Sequence, residues 1–113
     1  MSALGVEEKV DGNLELTYVI IYSFWYFYDK VFFPQTIHIY THKLVRNKLI
    51  DDYWGDWIWT GVGPYSPKLG YEIMELKNKG FLKETCVDDG TLCGLLTISE
   101  NAPHPDRLYL ITI

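Results

Sequence analysis

The sequence predicts an α+β fold of about three helices, with a small antiparallel sheet in the C-terminal half of the chain. Three observations predict it. Residues 16–28 form an uncharged, mostly apolar run of 13 residues, Ser66-Pro67 marks a helix start, and Asp89-Gly90 marks a turn between two β-prone segments.

Composition restricts the class of protein. Ten Lys+Arg against fifteen Asp+Glu give a net charge of -5, which excludes a globally basic nucleic-acid coat. Charged residues make up 22% of the chain and hydrophobic residues 48%, so the chain as a whole is not disordered. At 113 residues it suits one domain, which we expect to span residues 14–113 after a tail of residues 1–13.

The first element covers residues 14–30, with Asn13 placed to cap a helix N-terminus. Its apolar residues leave no polar face, so a helix here must be buried on all sides. Because aromatic β-formers are abundant, a strand is the alternative. The large rings exceed what one helix can bury against a chain of this size, which predicts a homodimer built partly on the first helix.

A second helix is predicted over residues 37–50, because Pro34 breaks the first element and Thr36 can act as an N-cap. Alternation at residues 57–60 predicts a short strand, and residues 61–64 then turn the chain. The inward face of the second helix holds Ile37, Tyr40, Thr41, Leu44, Val45 and Lys48, and the outward face of that helix holds Ile39, His42, Lys43 and Arg46.

The third helix has the clearest signals. Ser66 is an N-cap residue, and Pro67 lies at the first helical position, where its missing N–H costs nothing. Gly80 supplies the C-terminal stop. The inward face holds Leu69, Ile73 and Leu76, and the outward face holds Lys68, Tyr71, Met74, Glu75, Asn78 and Lys79.

A hairpin follows the third helix. Residues 81–87 and 91–99 are predicted strands, and Asp89-Gly90 is a strong signal for a two-residue turn between them. After a proline-containing loop, alternation predicts a last strand over residues 107–113.

The hairpin register brings the two cysteines of the chain together. With Asp89-Gly90 at the centre of the turn, Cys86 lies opposite Cys93, within disulfide range without requiring a bond. In a mesophile cytosol the thiols would stay reduced, whereas intracellular proteins of hyperthermophiles do contain disulfides.

Two segments in the second half of the chain carry a family resemblance. They are Gly63-Pro64-Tyr65-Ser66-Pro67-Lys68-Leu69 and Leu76-Lys77-Asn78-Lys79-Gly80-Phe81-Leu82-Lys83-Glu84. With the order of elements, they resemble the GPYS…L…L…KGFL signature of small prokaryotic and archaeal winged helix-turn-helix proteins, including phage-associated ones, and the PadR-type pattern. Tyr109-Leu110-Ile111-Thr112 is similar to the motif that closes the wing, the C-terminal hairpin of these families. The Tyr-rich, Ala-poor composition also looks like that of small archaeal virus proteins.

The resemblance implies a dimeric, DNA-binding transcription regulator whose third helix is the recognition helix, with Tyr71 and Asn78 as base readers. The contacts that the resemblance implies on the third helix are Lys68, Tyr71, Glu75, Asn78 and Lys79, and the basic second helix adds Lys43 and Arg46 as expected contacts with double-stranded DNA. Charge agrees with this, because residues 35–50 hold three basic residues and no acid, and residues 66–83 hold four Lys against two Glu. Winged helices also bind proteins, so the alternative is an adaptor or inhibitor that binds another protein through Trp54, Trp57, Trp59 and Tyr65.

Signals for other chemistry are weak. His38 and His42 have the i, i+4 spacing of two metal ligands but lack a third, so we expect two surface histidines and no metal. No phosphate loop or catalytic arrangement is present, so we expect neither enzyme activity nor a cofactor. The uncharged run is shorter than the roughly 20 residues that span a bilayer, and the N-terminus lacks a secretory signal, which predicts an intracellular, cytoplasmic protein with no membrane partner.

Overall fold

The computed structural model describes residues 12–113, which form three helices and two two-stranded antiparallel sheets. The elements are α1 (Gly12–Phe27), α2 (Pro34–Arg46), β1 (Ile58–Thr60), β2 (Gly63–Tyr65), α3 (Pro67–Asn78), β3 (Leu82–Val87) and β4 (Leu92–Ile98), with short 3-10 turns at Asp88–Gly90 and Arg107–Tyr109. This is the predicted α+β class, in an arrangement consistent with a winged helix. Among residues 12–113, no helix is long and apolar enough to cross a bilayer.

The first element is a helix, not the alternative strand, and it runs through the middle of the core. Residues 17–24 are all buried, since α2, α3 and β4 pack around them. Tyr18 shows how tightly they are held: its ring lies 5.0 Å from that of Phe81, and its hydroxyl donates to Pro103 O at 2.7 Å. The predicted burial on all sides is therefore confirmed for this stretch.

The bounds of α1 differ from the prediction. The helix already includes Gly12, so Asn13 lies in its first turn instead of capping it, and it ends at Phe27, three residues before the predicted end. The predicted tail, residues 1–13, lies outside the described residues up to residue 11.

The start of α2 corrects the interpretation of its proline. Pro34 begins the helix at the first helical position, because its fixed φ suits a helix and its missing N–H is not needed there. Thr36 therefore lies inside the helix and is not its cap. The helix ends at Arg46, so Lys48 lies beyond it, exposed and with a φ of 58°, and does not belong to the inward face.

The predicted short strand is present as β1, but its partner was missed. Residues 63 and 64, which the sequence indicated as part of a turn, belong instead to β2, and this strand pairs with β1 through Trp59 and Pro64. The hairpin is attached to α2 by Gln35, whose amide donates to Pro64 O at 2.9 Å. Three apolar residues of this hairpin are exposed: Ile58, Trp59 and Val62.

The predicted limits of α3 are confirmed. Ser66 Oγ accepts from Leu69 N at 3.0 Å, Pro67 is the first helical residue, and Gly80 follows the helix with a φ of 82°. The inward positions Leu69, Ile73 and Leu76 are all buried.

The β3–β4 hairpin has the predicted turn and then departs from a uniform register. Asp89 and Gly90 both have positive φ, and Val87 pairs with Leu92. A bulge then shifts the register, so that Thr85 pairs with Leu95.

The predicted last strand over residues 107–113 is wrong. A 3-10 turn begins the segment, and side chains of two helices hold the residues after this turn: Ser23 Oγ accepts from Ile111 N at 2.9 Å, and Tyr40 donates to Ile111 O at 2.6 Å. The alternation reflects packing of Leu110 and Ile111 against the core and not strand pairing.

Candidate nucleic-acid interface

Four of the predicted contact residues lie together on α3 and at the residue that follows it. Lys68, Tyr71, Glu75 and Lys79 line an open groove of about 450 Å³ beside the first turn of α1. Tyr71 is 65% exposed. The groove is the largest grouping of predicted site residues on the described surface.

The other three predicted contacts lie elsewhere. Asn78 is exposed on α3 but does not line the groove, and Lys43 and Arg46 are exposed on α2. Residues 47–66 separate α2 from α3, whereas a helix-turn-helix joins its two helices by three or four residues. α2 and α3 therefore do not form a tight helix-turn-helix, and their basic residues are joined by a folded connection that contains β1 and β2.

A buried carboxylate that the sequence analysis missed lies below the groove. Glu72 is 8% exposed, and its Oε1 accepts from Thr17 Oγ1 at 3.0 Å and from Trp54 Nε1 at 2.6 Å. Glu72 lies three residues after Leu69 and four before Leu76, which places it on the inward face of α3. This spacing is the sequence signal that could have identified it. Glu72 fixes α3 against α1 and against the connection that precedes it.

The carboxylate of Asp56 accepts hydrogen bonds at the N-terminus of α3. Asp56 accepts from Ser66 Oγ at 2.5 Å and from Lys68 N at 2.8 Å. Burial acts to raise the pKa of Asp56, but these hydrogen bonds outweigh it, and the pKa lies below its ordinary value. The amides that could otherwise hold a phosphate already have acceptors, so this helix end is not an anion site.

The lysines on and beside the β3–β4 hairpin form ion pairs, and the tip of the hairpin is acidic. Lys77 pairs with Glu84 at 2.6 Å, and Lys83 pairs with Glu100 at 2.7 Å. The tip carries Asp88 and Asp89. Because phosphates repel such a tip, the hairpin end is a poor contact for a DNA backbone.

The two cysteines lie just before and after that tip. Cys86 and Cys93 are joined by a disulfide, with Cα atoms 4.1 Å apart. Both residues are exposed, so solvent reductants can reach the bond.

The prediction of two surface histidines is wrong for His38. His38 is 2% exposed, and its Nδ1 accepts from Ser66 N at 3.1 Å. His42 is partly exposed, with its ring edge-on to Trp57 and Trp59. The α2 helix turns His38 toward α3 and His42 toward the β1–β2 hairpin. Within the described part of the chain, no group of three His, Cys, Asp or Glu side chains could hold a metal ion.

Comparison of the chain with protein-family models, curated proteins and solved structures found no match. The winged-helix and PadR-type resemblance therefore remains a prediction from the sequence.

Proposed function

We propose that the protein binds double-stranded DNA through the exposed face of α3, as a dimeric transcription regulator. The observation that carries this proposal is the fixed presentation of that face: Glu72 and the Ser66–Asp56 cap hold the helix, while Tyr71, Asn78 and Lys79 face solvent. Anchored side chains of this kind suit base and phosphate contacts, which need a defined register.

The residues divide by chemistry. Asn78 and Tyr71 are the proposed base readers, and Lys79, Lys43 and Arg46 are the proposed phosphate contacts. Lys68 Nζ already donates to Tyr53 O at 3.1 Å, which leaves two of its three protons for a phosphate. The acidic hairpin tip favours α3 over the hairpin as the principal contact.

Salt dependence of binding tests the proposal. Fluorescence anisotropy of a labelled duplex, titrated at several salt concentrations, gives a slope of log K against log salt near -0.9 for each neutralised phosphate. We expect Lys79→Gln to weaken binding and reduce that slope by about 1. Lys83→Gln is the matched control, because Lys83 is paired with Glu100 on the hairpin. Absence of salt-dependent binding, or equal effects of the two variants, would contradict the proposal.

A second candidate function, binding of another protein, is favoured by the β1–β2 hairpin. Ile58, Trp59 and Val62 are 54%, 67% and 69% exposed on this hairpin, which packs beside α2. A Trp59→Ser variant that loses a co-purifying partner while keeping its DNA affinity would support this function over the first.

A further inference from the structure

A cavity of about 210 Å³ lies between α2, β2, α3 and the β3–β4 hairpin, away from the groove of the proposed DNA contacts. Its wall is mainly apolar and includes Pro34, Ile73, Met74 and Leu96. Concave, mostly apolar spaces with a few convergent polar groups are the usual form of small-molecule sites.

His38 supplies one polar group of this wall. The side chain is 2% exposed, and the only hydrogen bond of its ring among residues 12–113 is the one that Nδ1 accepts from Ser66 N. Burial lowers the pKa of His38 to about 4, so the ring is neutral at pH 7. A neutral imidazole that accepts at Nδ1 carries its hydrogen on Nε2, which is therefore an unused donor.

Tyr65 supplies the second polar group. Its ring is stacked on His38, with the ring centroids 4.5 Å apart, and its hydroxyl lies beside α3 at Gly70. A Cβ on Gly70 would lie 2.9 Å from Tyr65 Oη and 3.8 Å from His38 Cε1, the ring carbon between the two nitrogens. Gly70 thus leaves room for both groups, and both border the same space.

Charge and volume restrict the ligand. Lys77 and Glu84 are also at the cavity wall, where they pair with each other at 2.6 Å, so their opposite charges offset each other and the wall carries no net charge from this pair. An enclosed, dry cavity of about 150 Å³ is enough to bind benzene, whereas the space here is partly open to solvent. The larger volume here accommodates one six-membered ring with a short substituent.

We propose that this cavity binds a small, uncharged, single-ring molecule bearing a carbonyl or similar acceptor, held by His38 Nε2–H and Tyr65 O–H. Its ring packs against Ile73, Met74 and Leu96, so one occupant contacts two helices and the hairpin. The site does not depend on the proposed DNA binding, because none of its lining residues is a proposed DNA contact.

A ligand pair that differs only in the acceptor tests this site. Acetophenone has the ring and the carbonyl, and ethylbenzene has the same ring and a two-carbon substituent without the acceptor oxygen. In NMR titrations of the labelled full chain without DNA, we expect saturable acetophenone shifts at the Gly70 amide and at the Met74 and Leu96 methyl groups. We expect acetophenone to bind about 25-fold more tightly than ethylbenzene, which corresponds to two net hydrogen bonds of about fivefold each.

Tyr65→Phe removes the hydroxyl and keeps the ring. This variant should weaken acetophenone binding about threefold to fivefold and leave ethylbenzene binding unchanged. Tyr71→Phe is the matched control, because Tyr71 is exposed on α3 outside the cavity. The proposal is overturned if acetophenone shows no saturation up to its solubility, if the shifts lie on another surface, if the two ligands bind equally, or if both variants have the same effect.

Discussion

Trp54 donates its indole N–H to the buried carboxylate of Glu72, with Nε1 2.6 Å from Oε1. The same oxygen accepts from Thr17 on α1 at 3.0 Å. One carboxylate of α3 therefore satisfies two buried donors from two other parts of the chain. Loss of that acceptor leaves both donors without a partner, which costs more than the hydrogen bonds contribute.

We expect Glu72→Ala to lower the free energy of unfolding by about 2–5 kcal/mol, because two buried donors lose their acceptor. Glu72→Gln keeps an acceptor oxygen and should cost about 1 kcal/mol. Glu75→Ala, one turn away and partly exposed, is the control and should stay within about 0.5 kcal/mol. Urea unfolding followed by tryptophan fluorescence measures all three. Equal losses for the alanine variants at positions 72 and 75 would show that the Trp54–Glu72 contact is not a main anchor of α3.

The buried imidazole of His38 should make the stability of the protein depend on pH. In the folded protein, burial lowers the pKa of His38 to about 4, whereas the pKa of a histidine in an unfolded chain is near 6.5. Between these values the unfolded state binds more protons, so stability falls as the pH falls from about 6.5 to about 4, by at most about 1.4 kcal/mol per pH unit. His38→Gln should flatten the stability curve in this window. If its unfolding free energy varies with pH as steeply as that of the wild type there, the buried neutral imidazole is not the cause.

Local signals explain which elements the sequence predicted well. The α3 helix was delimited by Ser66, Pro67 and Gly80, whose effects are confined to a few neighbouring residues. The hairpin turn was predicted from Asp89-Gly90, which adopts positive φ in any fold that closes a two-residue turn.

Tertiary packing explains which features the sequence could not predict. Nothing local distinguishes a surface histidine at position 38 from one that is buried against Ser66 N, since the difference arises from a contact 28 positions away. The alternation near Ile111 suggested a strand, but Ser23 and Tyr40, which satisfy its backbone, belong to two helices. Glu72 was assigned no role because its donors, Thr17 and Trp54, lie on separate segments.

The disulfide of the β3–β4 hairpin should stabilise the protein modestly. The loop that Cys86 and Cys93 close has only about eight residues, so the expected contribution is about 2–3 kcal/mol. Thermal unfolding with and without a reductant measures it, and the double variant C86S/C93S should match the reduced wild type in both conditions. If reduction shifts the melting temperature of the double variant equally, the reductant acts elsewhere and the bond contributes nothing.

The homodimer remains a prediction, and the structure changes the surface on which it would form. Residues 17–24 are covered within one chain, so the exposed aromatic side chains of α1 lie at its C-terminal end. Phe27 is 44% exposed there. Arg107 lies 5.7 Å from the ring of Tyr26, which places the 3-10 turn containing Leu108, 89% exposed, beside the same end.

We therefore expect Leu108→Asp and Phe27→Asp to convert a dimer into a 13.2 kDa monomer in sedimentation equilibrium at tens of micromolar. Val62→Asp, on the β1–β2 hairpin, should leave the dimer intact. A wild-type monomer at these concentrations would contradict the dimer itself. Dissociation by Val62→Asp alone would instead assign the interface to the hairpin.

Asn78 and Lys79 should have separable roles, one in reading the base sequence and the other in contacting phosphates. Asn78 is exposed and can form paired hydrogen bonds with a base edge, whereas Lys79 carries a charge suited to the backbone. Selection from a randomised duplex pool should yield a preferred site for the wild type and a less defined site for Asn78→Ala, with a loss of about 1–3 kcal/mol of discrimination at one base pair. Lys79→Gln should weaken binding to all duplexes alike and keep the same preferred site. If Asn78→Ala selects the wild-type site with equal discrimination, the base reader of α3 is another residue, and Tyr71→Phe is the next variant to compare.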